Sequence, residues 1–192
     1  IEALIKVGQF DNASEIIQQG RENGLNEDKV DQLARQLESG RNEPTKKQVD
    51  TLIALYDQGQ LEELVKQVNS LLEHFPQEVR LFNFLGAANK GLGHLNAAIK
   101  NYRRAIEINP DYSEAYYNLG NALKETGDPD AAIESYNRAI EIKPDYVEAH
   151  SNLGNVLQEN GELTAAIKSC NRATKINPSF AEAHNNLGIT LK

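Results

Sequence analysis

Apolar residues recur along this chain at helical spacing, and the same arrangement of them returns every 34 residues. Within residues 113–146, Tyr116, Leu119 and Leu123 fall at i, i+3 and i+7, one stripe of an α-helix. After Gly127, the residues Ala132, Tyr136, Ala139 and Ile140 supply the stripe of a second helix. Residues 79–112 and 147–180 are near-copies in register, and residues 181–192 begin a further one. Pro76, Pro110, Pro144 and Pro178 mark the period, as do Gly59, Gly93, Gly127 and Gly161. A fixed period of this length predicts an array of two-helix units.

Local chemistry in the unit agrees with that reading. Gly120 sits beside the apolar stripe, where the lack of a side chain lets a second helix approach, and Gly86, Gly154 and Gly188 repeat it. Gly127 suits a left-handed turn, Asp128 the N-cap of the second helix and Pro129 its first turn. Pro144 stops that helix. Asp145 with Glu148 has the spacing of a capping box for the next unit, as do Asp111 with Glu114 and Ser179 with Glu182.

The order of an aromatic or histidine, then Leu-Gly, then Ala, an aromatic, Ala and a closing Pro resembles the tetratricopeptide repeat, strongly over residues 79–192, less so over 45–78 and only partially before that. The resemblance implies an all-α solenoid of antiparallel helix pairs stacked into a right-handed superhelix, with the first helices lining a concave groove. The expected organisation is a divergent N-terminal helical segment at 1–44 and an array at 45–192. The array comprises a divergent repeat (45–78), three regular ones (79–112, 113–146 and 147–180) and a truncated copy (181–192).

Before the array the register shifts. The turn-like run Gly8-Gln9-Phe10-Asp11-Asn12-Ala13 precedes Ile16 and Ile17, with Gly24 expected to end that helix. Asn26 opens another, with Val30, Leu33, Ala34 and Leu37 on one face, until residues 40–44 interrupt it. Gly8 and Gly59 stand 51 residues apart, one and a half periods. Thr45 with Gln48 then forms a capping box for a helix carrying Val49, Leu52, Leu55 and Tyr56.

Composition narrows the function. A net charge of −8 and a pI near 5.1 exclude a basic nucleic-acid footprint. No run reaches the roughly 18 apolar residues of a membrane span and no secretory pattern opens the chain, so no membrane insertion is expected and the protein is either cytoplasmic or has had its signal removed, the cytoplasm being the leading expectation. The single cysteine, Cys170, stands where Tyr102 and Tyr136 stand and reads as core. Neither a nucleotide-binding glycine motif nor metal-ligand spacing is present, so no catalytic residue, cofactor or metal is expected. His150 and His184 occupy the Phe82 and Tyr116 place and read as core lining. With no methionine, and Leu187 and Leu191 left without the helix their stripe requires, the chain is expected to be a piece of a longer protein that could self-associate end to end.

One polar constellation remains. Asn118 and Asn121 share a helix face away from Leu119; Asn152 with Asn155 repeats the pair, and Asn186 begins it again. Stacked repeats would make a ladder of amides, each offering donors and an acceptor to an extended backbone whatever its sequence. Tyr117, Ser151 and Asn185 would sit beside it, with Lys124 and Glu114 near its edges. The ladder resembles the groove of the O-linked N-acetylglucosamine transferase repeats, which implies a protein or peptide partner. The alternative is that these asparagines are merely typical of the family. Phe84 and Ala87, and Asp50 and Ile53, break the ladder towards the N-terminus. Groove lysines and arginines are few (Arg80, Lys90, Lys124, Lys192) and Glu114, Glu148 and Glu182 recur, which disfavours binding of an acidic chaperone tail.

The leading expectation is an interaction module with no catalysis of its own, in which alanine at Asn118, Asn152 and Asn186 weakens peptide binding with stability changed by about 0.5 kcal/mol or less, as for exposed substitutions. The alternatives are the substrate-recognition arm of a larger glycosyltransferase or sulfotransferase, as in bacterial arrays of this layout, and a self-assembling scaffold.

Overall fold

A computed structural model describes residue 4 and residues 9–40 and 43–190, excluding the side chains at 11 and 38–40. Gly8, Arg41, Asn42, Leu191 and Lys192, used above, lie outside the described residues. The chain divides into two compact units, residues 1–53 and 54–192.

In the first unit, α1 (Phe10–Glu22) and α2 (Glu27–Gly40) pack together around Ala13, Ile17, Val30 and Leu37. Gly24 (φ 70°) makes the turn between them, and the Asn26 side chain accepts the Lys29 N–H at 3.0 Å to open α2. Ile16, by contrast, is 44 % exposed; Ala13 and Ile17 do the packing. Helix α3 (Lys46–Asp57) runs across the division between the units. Its capping box forms as the spacing predicts: Thr45 N–H donates to Gln48 Oε1 at 2.8 Å and Gln48 N–H to Thr45 Oγ1 at 3.1 Å.

The second unit continues with α4 (Leu61–His74), α5 (Val79–Gly91), α6 (Leu95–Ile108), α7 (Ser113–Glu125), α8 (Pro129–Ile142), α9 (Val147–Glu159), α10 (Leu163–Ile176) and α11 (Ala181–Thr190). No strand occurs among the described residues. Short turns make α5/α6, α7/α8 and α9/α10 antiparallel pairs, the repeated unit of an all-α solenoid. Each second helix also packs on the first helix of the next repeat, and the first helices α5, α7, α9 and α11 touch in succession. The core therefore runs on from repeat to repeat, through Tyr102, Leu119, Ala122, Tyr136, Leu153, Val156 and Ala166.

The glycines do what their spacing predicts at two kinds of place. Gly59, Gly93, Gly127 and Gly161 all have φ between 69° and 83°, the left-handed region that stops a helix. Gly86, Gly120 and Gly154 lie directly under a second helix: a Cβ on Gly120 would stand 2.7 Å from the Tyr136 ring, and one on Gly154 2.4 Å from Cys170 Sγ. Cys170 is fully buried there, in the tyrosine's place. Gly188 differs, since a Cβ there would meet nothing within 4 Å.

Helix entry corrects one expectation. Asp128 does cap α8, accepting the Ala131 N–H at 3.2 Å behind Pro129. The capping boxes at Asp111 and Asp145 do not form, because α7 and α9 begin later, with Tyr112 and Tyr146 as N-caps lacking a side-chain bond. At two entries an asparagine that ends the preceding helix makes the turn instead: Asn109 Oδ1 accepts the Asp111 N–H at 3.0 Å and Asn177 Oδ1 the Ser179 N–H at 3.1 Å.

Candidate functional site

The face built from α5, α7, α9 and α11 carries the asparagines, and these meet one another across repeats. Asn118 Nδ2 donates to Asn83 Oδ1 at 2.9 Å. Asn152 Nδ2 donates to Asn121 Oδ1 at 2.8 Å and to the Tyr117 hydroxyl at 3.3 Å. Asn186 Nδ2 reaches Ser151 Oγ at 3.1 Å and the Ser151 carbonyl at 3.4 Å. The repeat spacing places these residues on neighbouring helices at matching heights, so a short amide spans the gap that a backbone bond cannot.

Tyr136 joins the lattice from the second helix, its hydroxyl donating to Asn121 Oδ1 at 2.8 Å. The residue is 0 % exposed and its phenol titrates well above the ordinary tyrosine value, burial being the main cause and the facing Tyr117 the next. Tyr117 lies between two rings, 6.1 Å from Tyr136 and 5.0 Å from Tyr146, centroid to centroid and tilted. Burial raises Tyr146 likewise, and takes Tyr112 up to about 12.

Ion pairs also step from repeat to repeat. Lys90 Nζ lies 2.8 Å from Glu125 and Lys124 Nζ 3.2 Å from Glu159, the same register one repeat on. Lys124 also donates to Asn155 Oδ1. All four side chains are a third exposed or more, so each pair contributes little stability, on the order of 0–1 kcal/mol.

This geometry divides the expected site residues. Asn118, Asn121, Asn152, Asn155, Tyr117 and Lys124 are half-buried and fall into three bonded groups, Asn118 with Asn83, Asn121 with Asn152, Tyr117 and Tyr136, and Asn155 with Lys124, while Asn185 is exposed and Asn186, at 8 % exposure, is buried against α9. Asn118, Asn152 and Asn186 are therefore not the exposed side chains that a small stability change on substitution presupposes: each donates an Nδ2–H to the neighbouring repeat. Asn83 and the Tyr136 hydroxyl were absent from the sequence reading of the ladder, although Asn83 stands in register with Tyr117 and with Asn185. Asn118 and Asn155 keep capacity to spare, for among the described residues no protein group meets Asn118 Oδ1 or Asn155 Nδ2. His150 is buried and its Nε2–H donates to the Pro144 carbonyl at 3.1 Å, whereas His184 makes the same bond to Pro178 at 2.9 Å while exposed.

Among the described residues, no three His, Cys, Asp or Glu side chains gather as a metal site, and no helix is long and apolar enough to cross a membrane.

The signature described as TPR repeat matches residues 86–127 and 120–161, and that of the tetratricopeptide repeat matches residues 147–180. No curated protein matches the chain. Among solved structures, a crystal structure of MamA is 27 % identical at a TM-score of 0.66, covering 71 % of this chain and 80 % of its own. YrrB, a TPR protein with an unusual peptide-binding site, is 20 % identical at 0.64, covering 82 % and 80 %. The first TPR of Spaghetti (RPAP3), bound to the HSP90 peptide SRMEEVD, is 22 % identical at 0.59, covering 60 % and 91 %. The last two show likeness of fold alone. Register, turn glycines, buried ring-on-glycine contacts and matched signatures agree, and the chain belongs to the tetratricopeptide-repeat family.

Proposed function

We propose that this protein is an interaction module that holds an extended stretch of a partner polypeptide along the face of α7, α9 and α11. The observation that carries the reading is the spare hydrogen-bonding capacity along this face: among the described residues no protein group meets Asn118 Oδ1, Asn121 Nδ2, Asn152 Oδ1 or Asn155 Nδ2, with Tyr117 beside them. An acceptor at Asn118 and a donor at Asn155 can meet the N–H and C=O of an extended backbone without reading its side chains. Tyr117 and the stem of Lys124 offer apolar surface to the same ligand, and Asn121, Asn152 and the Ser151–Asn186 contact keep the helices at a fixed spacing. Asn185, exposed on α11, extends the track.

YrrB, of the same fold, has an unusual peptide-binding site, and the first TPR of RPAP3 binds the HSP90 peptide SRMEEVD, which is acidic. Here the recurring Glu114 and Glu148 favour a neutral or basic segment over an acidic tail. Binding is the whole activity on this reading: the network contains no nucleophile with a positioned base, and no catalytic step, cofactor or metal is assigned to it. The repeats at 79–112, 113–146 and 147–180 form the module, with 45–78 as a divergent repeat, 181–192 as the start of another and 1–44 as a separate helical segment.

A random 12-mer peptide display selected on the wild-type protein tests this. Selected peptides should lose about 5- to 150-fold in affinity for the Asn118→Ala/Asn155→Ala variant, two hydrogen bonds at roughly 0.5–1.5 kcal/mol each. Selection of no binder at micromolar affinity, or of binders indifferent to the double substitution, would refute the proposal.

A further inference from the structure

The other side of the array carries a cleft of about 750 Å3 between the second helices α8 and α10, floored by α9. Its walls are Ile133 and Ile140 on α8 and Leu153 and Leu157 on α9; along its α10 edge run Lys168, Arg172 and Lys175. These three cations fall at i, i+4 and i+7, one row about 10 Å long. Among the described residues none of them has an ion-pair partner, in a chain of net charge −8.

Comparison along the repeats shows how this row arises. In residues 79–112, Arg104 lies 5.9 Å from the Phe82 ring centre and 3.0 Å from Glu107. In residues 113–146, Arg138 lies 5.8 Å from the Tyr116 ring centre and pairs with Glu141. Both supports are gone from the next repeat. His150 replaces the phenyl or phenol and turns its Nε2–H to Pro144, and Lys175 stands where Glu107 and Glu141 stand. Lys168 replaces Glu134, with Lys100 at this position in residues 79–112. The Arg172 guanidinium is thereby released, the cleft floor loses a large ring, and its rim changes sign. A cationic row beside a trough of Ile and Leu is complementary to a helix with apolar side chains on one face and carboxylates along its edge.

We propose that the cleft between α8 and α10 docks an amphipathic acidic helix of a partner protein, its apolar side chains on Ile133, Ile140, Leu153 and Leu157 and its carboxylates on Lys168, Arg172 and Lys175. This site is separate from the amide-bearing face and does not rest on the function proposed for it. Three open cations against carboxylates make the docking salt-sensitive.

The test uses a fluorescein-labelled helical peptide of roughly 18 residues, with Leu at i, i+3 and i+7 and Glu along one edge, and its twin with Gln for each Glu. Fluorescence anisotropy should give the Glu peptide at least about tenfold tighter binding than the Gln peptide, weakening as salt rises. Lys168→Glu/Lys175→Glu, which restores the charges of the preceding repeat, should weaken the Glu peptide by about tenfold or more with no loss in melting temperature, whereas Asn118→Ala/Asn155→Ala leaves it bound. Equal affinity for the two peptides, indifference to the charge reversal, or no binding up to about 1 mM overturns the proposal. So does self-association of the chain that the charge reversal abolishes, since the occupant is then a second copy.

Discussion

Replacing Asn152 by alanine separates an amide that joins repeats from one that only awaits a ligand. Asn152 makes two contacts on the neighbouring helix, and the 2.8 Å bond to Asn121 Oδ1 carries most of their energy, since 3.3 Å to the Tyr117 hydroxyl is long for a hydrogen bond. A net hydrogen bond is worth roughly 0.5–1.5 kcal/mol. Asn121 Oδ1 keeps its bond from the Tyr136 hydroxyl, so no acceptor is orphaned, and the expected loss is about 1 kcal/mol, or roughly 2–4 °C in Tm for a chain of this size. Asn121→Ala should cost more, about 2 kcal/mol, because it strands the hydroxyl of a tyrosine that is 0 % exposed. Urea unfolding of both single variants and the double variant closes the cycle, with a coupling energy of about 0.5–1.5 kcal/mol. Coupling below about 0.3 kcal/mol, or an Asn152→Ala variant less stable than Asn121→Ala, would show that the amides do not join the repeats.

Two glycines at the same position of the repeat, two repeats apart, should respond in opposite directions to alanine. Gly120→Ala forces a Cβ to 2.7 Å from the Tyr136 ring and should destabilise by about 1–3 kcal/mol, whereas Gly188→Ala meets nothing within 4 Å and should stabilise by up to about 1 kcal/mol, both read by thermal denaturation. A pH dependence should trace to His150, whose imidazole is held below its ordinary value of 6.5 by burial first and by Arg172 second, against the opposing hydrogen bond to Pro144. The folded state prefers the neutral ring, so this contribution is present above pH 6.5 and is lost as pH falls through the lower folded value. His150→Phe, the residue of the equivalent position Phe82, should flatten the fall in urea midpoint below pH 6.5 relative to wild type.

The two-helix unit was legible because the same burial is required in every copy. Gly120 is fixed by Tyr136, Gly86 by Tyr102 and Gly154 by Cys170, so each glycine and its facing residue recur together at a constant offset. Turn glycines are legible for a similar reason: positive φ excludes most alternatives at Gly93, Gly127 and Gly161. The inter-repeat bonds were not legible. Asn118 meets Asn83 and Asn186 meets Ser151 at a separation of 35 residues, while Asn152 meets Asn121 at 31. Which of these offsets is used depends on how far one repeat is rotated against the next, a quantity that periodicity within a repeat does not contain. Capping failed more locally, since the Asp145–Glu148 spacing presupposes a helix starting at Tyr146, and the tight turn after Pro144 delays it to Val147.

Residues 147–180 differ from residues 113–146 in register by His150 for Tyr116, Cys170 for Tyr136, Lys168 for Glu134 and Lys175 for Glu141, although Lys100 stands at the Lys168 position in residues 79–112. Taken singly, each reads as drift within a tolerant family. Their common consequence follows only from the contact between Arg138 and both Tyr116 and Glu141, which shows that a ring and a carboxylate hold one arginine in place. Losing the two together releases Arg172, and the second lysine extends the exposed charge along α10 at no evident gain for the fold, because like charges at i+4 and i+7 on a helix repel. A row that costs stability and opens onto an apolar trough is better explained by a ligand that neutralises it than by packing, which is why the charge reversal, by relieving the repulsion around Arg172, should hold or slightly raise melting while removing the docked helix.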